Sequence, residues 1–397
     1  MFHKNSFFFL LAALLSFSAC KKDEIDKKLD KPNDTTDIVA DSLRINEIQV
    51  IGSHNSYRLK TYEPIYNALQ AIKSLLPASL NPDELDYTHL PLDEQFSNYG
   101  IRQIELDIYY DPSGGRFYNR IGNQIVSEPV ESGIAELNQP GMKLLHIPDI
   151  DYETNYISFR QALRAVKSWS EAHPRHLPIF ILIETKNTTL AGVVPFYPWT
   201  EALPFDAAAF DSIDREIMDV FGEDLANVIT PDDVRDTFPT LKKAVTTRGW
   251  PYIAECRGKV AFLMNNAGND RTLYLQGHPN LSGRVMFTNA NANDADAAFI
   301  MRNDPFDTDI PQLVAQGFLV RTRADDGTDE ARTGDVSSRN QAFASGAQFI
   351  STDYYRPDTR SDTSNAWTDY SVRLPGNEVA RLNPVNGPAE FVGGPIE

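Results

Sequence analysis

Cysteine is almost missing: Cys20 and Cys256 are the only two in 397 residues. A disulfide framework is therefore excluded, and stability has to come from a hydrophobic core, which a chain of this length buries easily. Basic residues are also in deficit. Lys and Arg number 37 against 55 Asp and Glu, a formal net charge of −18. That excludes a nucleic-acid partner held by its phosphates and argues against strong electrostatic docking on anionic lipid. Beyond the first twenty residues no segment is apolar for long enough to cross a bilayer. No internal repeat occurs, and no Gly/Ser linker follows residue 45.

The N-terminus has its own logic. Lys4 gives a positive start, residues 7–15 form a short apolar run, and Phe17-Ser18-Ala19 places small residues before Cys20. This resembles the lipobox of bacterial lipoproteins, in which the cysteine is acylated and becomes the mature N-terminus. A charged stretch with Pro32, Asn33 and Asp34 follows, too poor in apolar residues to bury anything, and it reads as a flexible tether. Lys22-Asp23-Glu24 is similar to the surface-export signal of Bacteroidetes lipoproteins. The expected organisation is a signal peptide over 1–20, a tether over 21–44 and one folded domain over 45–397. Lipidation at Cys20 then implies a bacterial outer-membrane lipoprotein, periplasmic or surface-exposed and anchored to the membrane.

Within the domain, eight short apolar runs recur, at 45–51, 101–109, 142–147, 179–184, 259–264, 284–288, 318–323 and 348–352. Most are nearly continuous in hydrophobicity, as strands covered on both faces are. Between them lie segments with helical spacing, clearest at 156–172 (Phe159, Leu163, Val166, Trp169) and 205–220, with shorter ones at 311–316 and 337–345. Eight strands alternating with helices predict an α/β fold, a TIM-like (β/α)8 barrel. A doubly wound open sheet is the alternative, but no Gly-rich phosphate loop follows the first strand. Long insertions at 58–99 and 187–206 follow strand ends, where loops shape substrate clefts.

The polar candidates sit where strands stop. The first ends in Gly52-Ser53-His54-Asn55-Ser56. The second carries Glu105 and Asp107, whose period of two puts both carboxylates on one face. The third ends in His146, and the fourth ends in Glu184-Thr185-Lys186. In a parallel barrel these ends share one rim, so two histidines, one amide and three carboxylates can meet in one pocket. Hard oxygen donors suit calcium or magnesium better than zinc, and three inward carboxylates repel one another unless a cation lies among them. A divalent ion polarises a phosphoryl oxygen, and two histidines can donate to the phosphorane and protonate the leaving oxygen. The set reads as a phosphodiester-cleaving site.

Ser53-His54-Asn55-Ser56-Tyr57 resembles the SHN[ST]Y signature of phosphoinositide-specific phospholipases C. Arg102-Gln103-Ile104-Glu105-Leu106-Asp107 is similar to that family's second-strand R-x-x-E-L-D, and residues 178–184 to its fourth-strand P-x-x-L-x-[IL]-E. His146 falls where the family's second catalytic histidine does. Arg321-Thr322-Arg323-Ala324-Asp325 and Ile350-Ser351-Thr352-Asp353-Tyr354 resemble late strands of the bacterial calcium-dependent branch. The resemblance implies that His54 and His146 are catalytic and that Asn55, Glu105, Asp107 and Glu184 bind calcium. It implies an inositol phosphodiester, such as phosphatidylinositol, as substrate. Attack by the inositol 2-hydroxyl, with His54 stabilising the equatorial charge and His146 protonating the leaving oxygen, is the expected chemistry. Lys186 and Arg323 are candidates for phosphate binding and Tyr354 for stacking on the inositol ring. The chain departs from the family pattern after His146, where Ile147-Pro148-Asp149 replaces a small polar turn.

Two other readings compete. A glycerophosphodiester phosphodiesterase shares a barrel, a metal and paired histidines, but that family opens on His-Arg-Gly, whereas Asn55-Ser56 follows His54 here. A non-enzymatic glycan-binding lipoprotein would place exposed tryptophans at strand ends; only four tryptophans occur, none at such a position. A monomer is the expected state. If the tether reading holds, Cys20→Ser yields a soluble, folded and active protein, since no core residue is lost. Fractionation checks this, and wild-type protein recovered without acylation refutes it.

Overall fold

The computed structural model describes residues 40–194, 197–391 and 394–397. Cys20, the signal segment and most of the expected tether lie outside the described residues. Packing starts before residue 45, because Ala40 and Leu43 are already buried in the core.

Among the described residues eleven strands form one sheet: β1 (Ile48–Ser53), β2 (Gln103–Tyr109), β3 (Lys143–Leu144), β4 (Ile179–Thr185), β5 (Val228–Ile229), β6 (Val260–Met264), β7 (Met286–Thr288), β8 (Phe299–Met301), β9 (Leu319–Arg323), β10 (Phe349–Thr352) and β11 (Ala380–Leu382). Eight of them are parallel neighbours in the order β7-β6-β4-β2-β1-β10-β9-β8. A parallel bridge between Asn289 and Phe299 joins the end of β7 to β8, so the curled sheet comes round on itself. The fold is the expected TIM-like barrel. β1, β2, β6 and β10 are buried along their whole length, which is why their sequences read as continuous apolar runs and not as alternations.

The membership of the ring differs from expectation at one place. Of the run 142–147 only Lys143–Leu144 is strand, and it runs antiparallel to β2, with Leu144 opposite Ile108 and Lys143 opposite Tyr109. The ring's eighth member is instead the three-residue β8, while β5 adds a short parallel pairing to β6 outside the ring. Hydrophobicity reports burial but not strand direction. A buried run folded back on the end of β2 therefore looks the same in sequence as a barrel strand.

Helices cover the sheet. Phe159–Ala172 starts with a capping box between Ser158 and Gln161 and buries Phe159, Leu163, Val166 and Trp169. Ala207–Phe221 is capped by Asp206, which accepts from the Ala209 amide at 2.8 Å. The main core spans the barrel and these helices. A second, smaller core (Ile65, Leu69, Leu80, Leu85, Tyr109, Phe117, Leu145, Tyr152, Leu190) is built largely by the long insertions after β1, β2 and β4. It stands beside the strand ends and walls the site. Among the described residues no helix is long and apolar enough to cross a membrane.

β1 and β2 meet in register at Gly52 and Gln103 alone. A Cβ on Gly52 would lie 2.0 Å from Gln103 Oε1 and 3.1 Å from its Cβ, and Gln103 is wholly buried. Gly52→Ala should therefore cost about 1–3 kcal/mol by overpacking. Adding Gln103→Ser should recover part of it, as read by urea melts; an unaffected single variant would show that this seam has slack.

Candidate active site and metal centre

β1 ends at Ser53, and the chain turns sharply. Asn55 has φ 46°, a left-handed conformation that asparagine tolerates better than most residues. The turn is tied to the barrel from several sides. The His54 amide donates to the Thr352 carbonyl (3.0 Å), and the Ser56 amide to the Glu105 carbonyl (2.9 Å). Gln95, buried in the helix Leu92–Tyr99, donates to the Ser56 carbonyl (2.7 Å) and accepts from Ser53 Oγ (2.7 Å).

His54 donates Nδ1–H to Asp353, just beyond β10, at 2.9 Å, and its Nε2 stands 3.9 Å from Glu105 Oε1. His146 pairs in the same way with Asp151, Nδ1 to Oδ2 at 2.6 Å. The turn at 147–151 makes this possible, closed by the Asp151 amide on the Ile147 carbonyl (2.9 Å). Asp149 within it, at φ 76°, accepts from Ile121 and Thr200. Ile147-Pro148-Asp149 is thus a structural turn that delivers Asp151 to His146. In both rings the carboxylate fixes the tautomer and leaves Nε2 for the cavity.

Asp151 is itself held by Arg58. That guanidinium is fully buried, donates to both Asp151 oxygens (2.7 and 2.9 Å) and also to the Leu85 and Tyr87 carbonyls. Burial alone would raise the Asp151 carboxyl, but Arg58 and His146 hold it well below the usual carboxylate range. Burial, which favours the neutral ring, lowers the His146 imidazole below its ordinary value, against the pull of Asp151.

Glu105, Asp107 and Glu184 converge as the sequence implied. Their donor oxygens lie within 4.8 Å of one another, since β2 and β4 are in register with Asp107 beside Glu184. Burial pushes the Asp107 carboxyl up, and the charges of Glu184 and Glu105 add to this. Glu184 is held below its ordinary value because Lys186 more than offsets its burial. Lys186 Nζ sits 3.0 Å from Glu184 Oε1 and 3.3 Å from Asp107 Oδ2. Arg321, fully buried on β9, donates to Glu105 Oε2 at 2.8 Å. Asn265, after β6, donates to Glu184 Oε2 at 2.8 Å.

Asn55 completes the set. With its amide nitrogen toward Asp107 (3.0 and 3.3 Å) and its oxygen toward the Tyr87 hydroxyl (3.2 Å), it is satisfied by protein alone. Turned the other way, its oxygen joins those of Asp107, and a cation is what reconciles them. An all-oxygen donor set of one amide and three carboxylates fits calcium and offers zinc neither thiolate nor imidazole.

A cavity of about 320 Å³ is lined by His54, Asn55, His146, Lys186, Arg323 and Asp353, with apolar walls from Leu80, Leu85 and Leu190; the three carboxylates are not in its lining but adjoin it through Lys186, which contacts Asp107 and Glu184. Arg323 lies between Asp353 (3.2 Å) and Asp326 (3.1 Å), and its Nε is buried without a partner. Tyr354 does not join them. It is 3 % exposed and packed among Tyr87, Trp367 and Tyr370, so it has no free face for an inositol ring. Asp353 beside it, beyond the end of β10, is the residue that turns to the site. The sequence reading missed Asp151, Asp353, Arg58, Arg321 and Asn265. For Arg321 a signal existed, since it lies two residues before Arg323 and shares its face.

Two histidine–carboxylate pairs beside an oxygen-lined cation site at the C-terminal rim of a barrel define a phosphodiester-cleaving enzyme of the metal-assisted kind. The chain belongs to the calcium-dependent phosphoinositide phospholipase C family, whose model matches residues 43–384. No curated protein sequence matches it. Among solved structures, it is similar to the calcium-dependent phosphoinositol-specific phospholipase C of a Gram-negative Pseudomonas species. The myoinositol complex shows 16 % identity over 87 % of this chain and 97 % of that one, with a TM-score of 0.50. The apo form shows 14 % identity over the same shares and a TM-score of 0.51. A calcium-dependent phosphatidylinositol-specific phospholipase C from Streptomyces antibioticus shows 16 % identity over 79 % of this chain and 95 % of that one, with a TM-score of 0.46. The Pseudomonas likeness confirms the fold, and the family supplies calcium as the cofactor.

One buried histidine outside the cavity supports the turn. His89 donates Nε2–H to the His54 carbonyl at 2.7 Å and stacks on Tyr355. Burial lowers its imidazole to about 4; Asp353 and the His54 carbonyl oppose this, and the charges of His54 and Arg58 add to it. The unfolded chain therefore binds the proton more readily. Stability is full above the unfolded value near 6.5, falls as pH drops from there toward 4, and levels off below. The drop attributable to His89 is about 3 kcal/mol. In His89→Gln, which keeps a donor for the carbonyl, denaturant melts should show that much less pH dependence across this window; parallel curves would contradict it.

Proposed function

We propose that the protein cleaves inositol phosphodiesters, phosphatidylinositol or a related diester, by transferring the phosphoryl group to the inositol 2-hydroxyl with calcium assistance. The observation that carries this reading is the pair of carboxylate-backed histidines that line one cavity beside the acidic cluster. The second arm of support is the family match. Asn55, Glu105, Asp107 and Glu184 would hold the calcium, which supplies charge stabilisation at a phosphoryl oxygen and acidifies a nearby hydroxyl. His54, next to Asn55, acts as the imidazolium, with Asp353 taking Nδ1–H and Nε2–H donated to the equatorial phosphoryl oxygens. His146 starts neutral and gains its proton when a phosphodiester anion enters the cavity. It then passes that proton to the leaving glycerol oxygen as that phosphorus–oxygen bond breaks, while the inositol 2-hydroxyl, bonding to phosphorus, gives up its own proton to a carboxylate of the acidic cluster. Arg323, with its unpartnered Nε, holds a non-bridging oxygen. The products are a cyclic inositol phosphate and diacylglycerol or its equivalent.

The apolar wall of the cavity suits the ring's hydrocarbon edge or the start of a glyceryl chain. The chain's acidic balance favours a substrate met through the Cys20 anchor or by collision over one gathered on anionic lipid. A headgroup-release assay across phospholipids and glycosyl-inositol anchors, with and without chelator, tests the whole reading. Cyclic inositol phosphate should form, chelator should abolish turnover, and calcium should restore it better than zinc; glycerol phosphate as product would replace this reading with the glycerophosphodiesterase one. His54→Ala and His146→Ala should each lose about two to four orders of magnitude in turnover. A substrate with a low-pKa leaving group should rescue His146→Ala far more than His54→Ala. Equal rescue would reassign the acid.

A further inference from the structure

Lys186 stands where a metal-site residue would not ordinarily be tolerated. Its ammonium contacts Glu184 and Asp107, two of the three carboxylates of the cation site, at 3.0 and 3.3 Å. Calcium takes its oxygens at about 2.3–2.6 Å. An ammonium bound to the same two carboxylates would stand beside the ion at a separation where two cations repel strongly.

The other cation in the cluster is fixed. Arg321 is buried and bonded to Glu105 Oε2, Ser351 Oγ and Asn303, so it has no alternative place. Lys186 differs in each respect. Its side chain is 21 % exposed and lines the cavity beside His54 and His146. Its backbone is anchored by the amide on the Ile108 carbonyl at 2.9 Å, and four flexible methylenes separate that anchor from the charge. Charge counting agrees: with Arg321 retained, the three carboxylates and one calcium balance only after the ammonium has left.

We propose that Lys186 is a displaceable resident cation, which neutralises Asp107 and Glu184 in the metal-free protein and swings into the cavity to meet the phosphodiester once calcium is bound. This rests on the calcium reading above and not on the inositol specificity. It couples the two binding events: the residue released by the ion becomes a ligand for the substrate anion, so each promotes the other. It also means that in the metal-free protein Lys186 and Arg321 together offset the charge of the three carboxylates.

The rival role for Lys186 is a clamp that preorganises the carboxylates for the ion. The two roles differ in the sign of one measurement. Calorimetric calcium titration of Lys186→Met should show tighter binding than wild type, on the order of tenfold or more, because a competing charge is gone. Lys186→Arg, which keeps the charge, should show no such gain, and melts of both variants verify that they fold. Turnover of Lys186→Met should fall even at saturating calcium. Unchanged or weaker calcium binding in Lys186→Met overturns the proposal and makes Lys186 a clamp. No calcium binding by wild type or variant overturns it together with the calcium reading. A wild type that binds calcium but releases no inositol phosphate, with the gain in Lys186→Met intact, supports the proposal and sinks only the substrate assignment.

Discussion

Two adjacent parallel strands, in register, bring three carboxylates to one end of a barrel, and charges of one sign that close cannot be buried together without cations. Much of the surrounding structure answers this constraint. Arg321 comes from the far side of the barrel to Glu105, Lys186 bridges Asp107 and Glu184, and Asn265 takes the remaining Glu184 oxygen. An enzyme that needs a divalent ion for chemistry has to keep its ligands close before the ion arrives; here buried Arg321 is the fixed partner of Glu105, while Lys186 occupies the place between Asp107 and Glu184.

A second buried pair organises the other half of the site. Arg58 and Asp151 lie fully buried, and the guanidinium also takes the Leu85 and Tyr87 carbonyls. One side chain thus ties the first insertion to the turn that carries Asp151, and through it orients His146. Removing one partner of such a pair leaves an uncompensated buried charge, typically at a cost of about 3–5 kcal/mol. The arrangement therefore joins folding of the insertions to formation of the catalytic geometry. The small core of Leu80, Leu85, Tyr109 and Leu190 does the same in apolar terms, since it is at once a packing unit and the wall of the cavity.

Much of this was legible in the sequence, for local reasons. The apolar runs fixed the barrel strands β1, β2, β4, β6, β7, β9 and β10 because burial on both faces leaves a continuous pattern. Period two placed Glu105 with Asp107, and the strand ends placed His54, Asn55 and Glu184. What tertiary structure alone decided is what depends on chain direction and on distant partners. The run ending in His146 turned out to be folded back antiparallel on β2, so His146 reaches the rim by a different route from the one its hydrophobicity implied. Asp353 faces His54 while Tyr354 is sealed among aromatic rings, and no local pattern says which of two adjacent residues turns inward after a strand has ended. Arg58 and Arg321 are charged residues that read as surface until a carboxylate 93 or 216 positions away is seen beside them. Periodicity is a property of neighbours in the chain; the pairing of buried charges is a property of closure, and only the closed barrel sets it.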